Sequence, residues 1–240
     1  MELKEVLDYC VDSIDYNDEE RDENDEKERV ISTQEMNALL LQLFKDQEAK
    51  PTYLPYYCIE ACIYSGLRVG EVVALKWSDI RSGELHIKRS EHRITIKGQP
   101  TTFKIGPTKN KKIRKVPISQ DLQNLFDKLE RLQMSLGIES EFIFEGIDGR
   151  TKAPHVSNAC FRETRRAFGE EMSIHAIRRT FSSNLHKQGV PMATICEILG
   201  HSKIVNEHHY NYDVTSLQEK ISYMSNSFRN PNEDSTKDVA

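Results

Sequence analysis

Two arginines, a lysine, two histidines and a tyrosine, drawn from four short stretches of the chain, form a set able to transfer a phosphoryl group without a metal. Guanidiniums neutralise nonbridging oxygens, a positioned acid and base move protons, and a hydroxyl attacks in line. The first stretch is SGLRVGEVVAL (65–75). Gly66 ends one helix, and Arg68 falls in the first turn of the next, three residues before Glu71, so the two share a helical face. A surface salt bridge accounts for that pair taken singly, but an arginine between apolar helices needs a carboxylate or a phosphate. The second stretch is PTKNKKIRKVPI (107–118), a lysine-rich hairpin tip leading into a strand. Alternation along the strand sends Lys109 and Lys111 one way and Lys112 the other. A solvated turn is its ordinary reading.

The third stretch is SIHAIRRTFSSNL (173–185), with Ser173 as N-cap and His175 and Arg178 three apart on one helical face. Ile174, Ile177, Phe181 and Leu185 form the apolar face. A titratable imidazole beside a fixed guanidinium suits a site that handles a phosphate and a proton together. Singly, an exposed His–Arg pair on a helix edge explains it. The fourth is ILGHSKIVNEHHYNY (198–212): Gly200 is a C-cap, His201 follows in a loop, and Ser202 caps a short helix that ends near Tyr210 and Tyr212. Two helical residues differ by about 200°, so these tyrosines face apart and only one can be the nucleophile. Each motif has a bland explanation. Their joint presence favours phosphoryl transfer.

The elements needed to position these groups are mostly helical. Ser32 with Glu35 predicts a capping box for a helix through MNALLLQLF, a second helix runs through LPYYCIEACIYS to Gly66, and a third begins near Arg68. ELHIKRS, RITIKG and IRKVPI alternate as short strands and predict one small antiparallel sheet. Ser119 caps an amphipathic helix, LQNLFDKLERLQMSL, stopped at Gly137, and FIF (142–144) reads as a short edge strand. Helices are expected again near 155–168, 175–188, 191–199, 203–211 and 214–227. The expected class is mainly α with one small β-sheet.

Composition agrees with a globular protein: of 240 residues, 38% are hydrophobic and 30% charged. No apolar run approaches the ~20 residues of a membrane helix, and MELKEVLDYC lacks the pattern of a secretory signal. The five scattered cysteines, Cys10, Cys58, Cys62, Cys160 and Cys196, read as reduced cytoplasmic thiols. The net charge of −5 averages unlike parts. Residues 1–28 hold 13 acidic and 3 basic side chains, whereas Lys76–Lys115 hold 12 basic and 3 acidic. Such a patch suits phosphate contacts, for which Lys88, Arg89, Arg93 and Lys97, with Lys111, are the candidates.

In order and spacing the set resembles the tyrosine recombinase (phage integrase) family. The residues carrying the resemblance are SGLRVGE, the lysine eight positions before the proline of the VP dipeptide, HAIRRT, LGHS, and the tyrosine nine residues after the LGH histidine. It spans roughly residues 30–226. The resemblance implies that Arg68 and Arg178 grip a scissile phosphate of double-stranded DNA and that Tyr210 attacks it, leaving a 3′-phosphotyrosine and a free 5′-hydroxyl. Lys109 would protonate the leaving oxygen, His175 would help deprotonate the tyrosine, His201 would bond the phosphate, and Glu71 would orient its neighbours. Neither metal nor cofactor is implied. Register favours Tyr210 over Tyr212 as nucleophile and Lys109 over Lys111 and Lys112 as acid.

The same resemblance implies a homotetramer on DNA, with accessory DNA-bending proteins as further partners, and the apolar Leu217, Ile221 and Met224 near the end are available for subunit exchange. The expected layout is an acidic linker, or the end of a missing N-terminal DNA-binding domain, over 1–30, a catalytic domain over 31–228, and a disordered tail over 229–240. Three other readings stay open: a type IB topoisomerase, a DNA-binding relative that does not cut, and a metal site of Cys196, His201, His208 and His209, whose spacing fits no common zinc pattern.

Overall fold

The computed structural model describes residues 30–94, 102–108, 113–145, 156–169 and 173–200. Lys97, Lys109, Lys111, Lys112, His201, Tyr210 and Tyr212 lie outside them, as do the expected helices at 203–211 and 214–227, the acidic segment and the tail.

Helix α1 (Thr33–Ala49) begins with the expected capping box: Ser32 Oγ accepts from Glu35 N at 3.2 Å, and Glu35 Oε2 accepts from Ser32 N at 2.9 Å. Leu39, Leu43 and Gln47, four apart, form its buried stripe. Ile31 N donates to Thr180 Oγ1 at 2.8 Å and ties the start of α1 to a distant helix. Helix α2 (Pro55–Ser65) opens on a proline and closes at Gly66, whose φ is 64°. Its Tyr57, Cys58, Ile59, Ala61 and Cys62 are all buried, so no side of it faces water. This apolar helix is the axis of the core, packed by α1, α3 (Val69–Val73), α4 (Gln120–Ser135), α5 (Val156–Phe168) and α6 (His175–Lys187). Helix α7 (Met192–Leu199) packs on α6 and on strand β5 and ends at Gly200, φ 73°.

The expected sheet is two sheets. Strands β1 (Ile80–Arg81), β2 (Glu84–Ile87) and β5 (Arg114–Pro117) pair antiparallel, with Leu85 opposite Val116 and Ile87 opposite Arg114. Strand β3 (Arg89–Ile94) instead pairs with β4 (Thr102–Pro107), a strand the sequence pattern had not indicated, in a separate ribbon with Arg93 opposite Phe103. The break falls at Lys88. Asp79, buried in the Trp77–Asp79 turn, takes the Lys88 ammonium at 3.1 Å and the Arg89 guanidinium, which draws the chain off the line of β2. A buried carboxylate needs such cations, and two consecutive residues supply them. FIF contributes an isolated bridge, Phe142 to Lys76, rather than an edge strand. Helix α4 carries the predicted Ser119 cap and reaches Ser135, two residues short of Gly137. Among the described residues the class is mainly helical with small antiparallel sheets, and no helix is long and apolar enough to cross a membrane.

Candidate active site

The turn between α2 and α3 sets the first arginine. Gly66 must be glycine twice over: its φ is in the left-handed region, and a Cβ there would lie 2.4 Å from the Phe181 ring of α6. Two residues later Arg68 occupies the N-cap of α3, one position before the expected first turn. The consequence is a closer link to Glu71 than a shared face gives. Glu71 Oε2 accepts from Arg68 N at 3.1 Å and Oε1 accepts from Arg68 Nη1 at 3.4 Å, so the carboxylate both caps the helix and steadies the guanidinium.

The second arginine is far from an exposed helix edge. Arg178 is 2% exposed on α6, held by two backbone carbonyls: Nη1 donates to Gly66 O at 2.6 Å and Nη2 to Leu199 O at 2.5 Å. One acceptor ends α2 two residues before Arg68, and the other ends α7 immediately before Gly200 and His201. Helix C-termini present orphan carbonyls with partial negative charge, which stabilise a buried guanidinium there. Arg178 therefore joins the first, third and fourth motifs at one point.

A residue that the motif reading passed over completes the arrangement. Arg114, at the start of β5, donates from Nη1 and Nη2 to Glu71 Oε1 and Oε2 at 2.8 and 2.7 Å, and from Nε to Ile198 O at 3.0 Å. Strand alternation contained the signal. Arg114 shares a strand face with buried Val116, while Lys115 points out, and an arginine on an inward face demands an acceptor. Burial alone would raise the Glu71 carboxyl. The hydrogen bonds and charge of Arg114, then the charges of Arg68 and Arg178, reverse this and hold it down to about 2. Glu71 is thus ionised at any working pH.

His175 lies half-buried at the start of α6, its ring centroid 6.0 Å from that of Phe161 at 57°, and its backbone N–H donates to Ser173 Oγ at 3.2 Å. It stands one turn before Arg178 on that helix. Of the proposed DNA contacts, Arg93 is exposed on β3, whereas Lys88 and Arg89 are about a quarter exposed and engaged by Asp79. The structure therefore brings Arg68, Glu71 and Arg178 together, adds Arg114, and places His175 on the same helix as Arg178. Among the described residues no group of three His, Cys, Asp or Glu could hold a metal ion, and Cys58, Cys62, Cys160 and Cys196 are free thiols.

Residues 29–215 match the model of the phage integrase family. The chain belongs to that family. Its curated relatives include a tyrosine recombinase XerC-like protein of Caldanaerobacter subterraneus subsp. tengcongensis, 34% identical over 58% of this chain and 40% of that one. Another is the tyrosine recombinase XerC of Rickettsia canadensis, 29% identical over 68% of this chain and 48% of that one. The chain thus spans about half the length of the curated relatives it matches. Among solved structures, the Tn1549 transposon integrase in complex with a circular intermediate DNA aligns at a TM-score of 0.63, with 17% identity, over 85% of this chain and 67% of that one. The XerA recombinase aligns at 0.59, again with 17% identity, over 84% and 64%. These structural likenesses establish the fold of the family's catalytic domain.

Proposed function

We propose that this chain is the strand-cutting part of a site-specific DNA recombinase of a phage or mobile element, working through a 3′-phosphotyrosine intermediate. The observation that carries the reading is the meeting of Arg68 and Arg178. Guanidiniums from different motifs are fixed through Glu71 and through the carbonyls of Gly66 and Leu199. Preorganised cations of this kind stabilise charge developing on a phosphate without reorganising during the reaction. The remaining roles are assigned by the resemblance of the motifs to the family's. Tyr210 attacks the scissile phosphorus, Lys109 protonates the 5′-oxygen that leaves, His175 helps take the tyrosine proton, and His201 hydrogen-bonds a nonbridging oxygen. Rejoining reverses these steps: the 5′-hydroxyl attacks the phosphotyrosine and expels the phenol. The phosphotyrosine conserves the bond, so the cycle consumes neither metal nor nucleotide.

The partner is double-stranded DNA, contacted by Lys88, Arg89 and Arg93 and by Lys97 and Lys111, and a homotetramer assembles on it in the cytoplasm, helped by DNA-bending proteins. Cationic phosphate contacts of this kind release counterions and make affinity fall steeply with salt. The decisive experiment selects, from a pool of nicked duplexes, those that form a protein–DNA adduct resistant to denaturation. The adduct is expected from the wild-type chain and from Tyr212→Phe and is expected to vanish with Tyr210→Phe. Loss only with Tyr212→Phe would correct the register within the same chemistry, and an adduct that persists in both variants would overturn the tyrosine mechanism.

A further inference from the structure

We infer that Arg114 is a positioning residue that sets the separation of the two phosphate-gripping arginines, an inference that rests on the strand-transfer reading above. Its guanidinium uses all three nitrogens. Two N–H groups lie along the Glu71 carboxylate, which in turn holds Arg68, and the third reaches Ile198 O. The next carbonyl along, Leu199 O, is the acceptor of Arg178. One rigid, planar side chain on β5 therefore spans the distance from the carboxylate that fixes Arg68 to the helix end that fixes Arg178. The neighbouring backbone is shaped around it. A Cβ at Gly200 would lie 3.0 Å from both Cδ and Nη1 of Arg114, so the glycine serves the close approach of this guanidinium as well as its own φ of 73°.

Charge alone would not do this. Glu71 keeps Arg68 as a counter-charge when Arg114 is absent, and an ammonium in place of Arg114 restores the second positive charge. An ammonium is a point donor, however, and cannot lie flat along both carboxylate oxygens while also reaching a carbonyl on the opposite side. Lysine at 114 thus separates the two roles. If Arg114 only neutralises Glu71, Arg114→Lys behaves as wild type. If it sets spacing, the phosphate grip loosens although the charge is kept.

The test compares wild type, Arg114→Lys and Arg114→Ala in single-turnover adduct formation on a nicked duplex selected as above, with thermal unfolding and duplex affinity measured alongside. A second duplex carries a methylphosphonate at the scissile position. Its neutral phosphorus centre needs less charge neutralisation, so a misplaced guanidinium matters less there. Arg114→Lys is expected to fold and to bind the duplex within about 3-fold of wild type, yet to form the adduct about 100-fold more slowly on the phosphodiester, the scale of a displacement near 1 Å. That deficit is expected to shrink at least about 10-fold on the methylphosphonate. Adduct formation by Arg114→Lys within about 3-fold of wild type on the phosphodiester would overturn the inference, as would an equal deficit on both duplexes. Arg114→Ala serves as the upper limit of the defect, and if it does not fold, Arg114→Lys still decides. A wild-type chain that forms no adduct on either duplex would instead sink the strand-transfer reading, and the inference with it.

Discussion

Two buried glutamates approach the short helix α3 from different sides and end in opposite states. Glu71, on the helix itself, accepts from four N–H groups: the backbone and Nη1 of Arg68 and both terminal nitrogens of Arg114. Glu91, on β3, packs its backbone carbonyl against Gly70, where a Cβ would come within 2.8 Å of that oxygen. Its Oε1 meets Ser157 Oγ of α5, and its Oε2 has no hydrogen-bond partner among the described residues. The Cys58 thiol interacts with it, and Cys58 is itself pushed well up by burial, then by Cys160, Cys62 and Glu91. Burial pushes Glu91 up to about 7 despite the Ser157 hydroxyl, while the arginines around Glu71 hold it near 2. Both carboxyls are nearly out of water, so depth does not separate them. The supply of donors does.

The contrast breaks most visibly at Glu71. Glu71→Ala leaves the guanidiniums of Arg114 and Arg68 partly buried with no carboxylate between them, which costs roughly 3–5 kcal/mol of folding stability. Denaturant unfolding at pH 7.5 measures this, and a loss below about 1 kcal/mol would show that the hub is held by the backbone carbonyls alone. Adduct formation is expected to fall at the same time, because Arg68 loses both its helix cap and its brace.

Glu91 carries the pH dependence that Glu71 lacks. Its folded pKa is raised, so the stability it contributes is fully present below its unfolded value of 4.5 and lost as pH rises through about 7. The loss amounts to at most about 3 kcal/mol by linkage. For Glu71 the folded value is lowered, so its contribution is present above 4.5 and lost only as pH falls towards about 2. Melting temperature followed from pH 5 to pH 9 is therefore expected to decline for the wild type. Glu91→Gln, which cannot ionise, is expected to flatten that decline. A Gln variant with the same slope as wild type would assign the dependence to another group.

The two glutamates also divide what the sequence disclosed from what it withheld. Helix boundaries were legible at Ser32, Gly66, Ser119 and Gly200, because caps satisfy local backbone groups, whereas the cap expected at Ser173 falls at Ile174. Glu71 was legible through its spacing from Arg68 in one turn of chain. Arg114 lies 43 residues from Glu71, and nothing local points from one to the other. Its inward strand position was the available clue, hidden by the lysines around it. The separate β3–β4 ribbon was missed because its cause is tertiary: Asp79 captures Lys88 and Arg89 from across a turn. Glu91 gave no signal at all, since a polar residue in an alternating strand ordinarily faces water.

The finest adjustment of the contrast lies at Ser157. Its hydroxyl is, among the described residues, the one group that lowers the Glu91 carboxyl, acting against burial. Ser157→Ala removes that donor from the ionised form, which needs it more than the neutral acid does. The acid is then expected to titrate above its present value of about 7, so the decline in melting temperature, which sets in near the same unfolded value of 4.5, continues to higher pH. At pH 9, where Glu91 is ionised with or without the hydroxyl, the variant is expected to be less stable than wild type by about 1 kcal/mol, with a smaller difference at pH 5. An equal loss at both ends would mean that Ser157 serves packing at the start of α5 and leaves the charge state of Glu91 to burial alone.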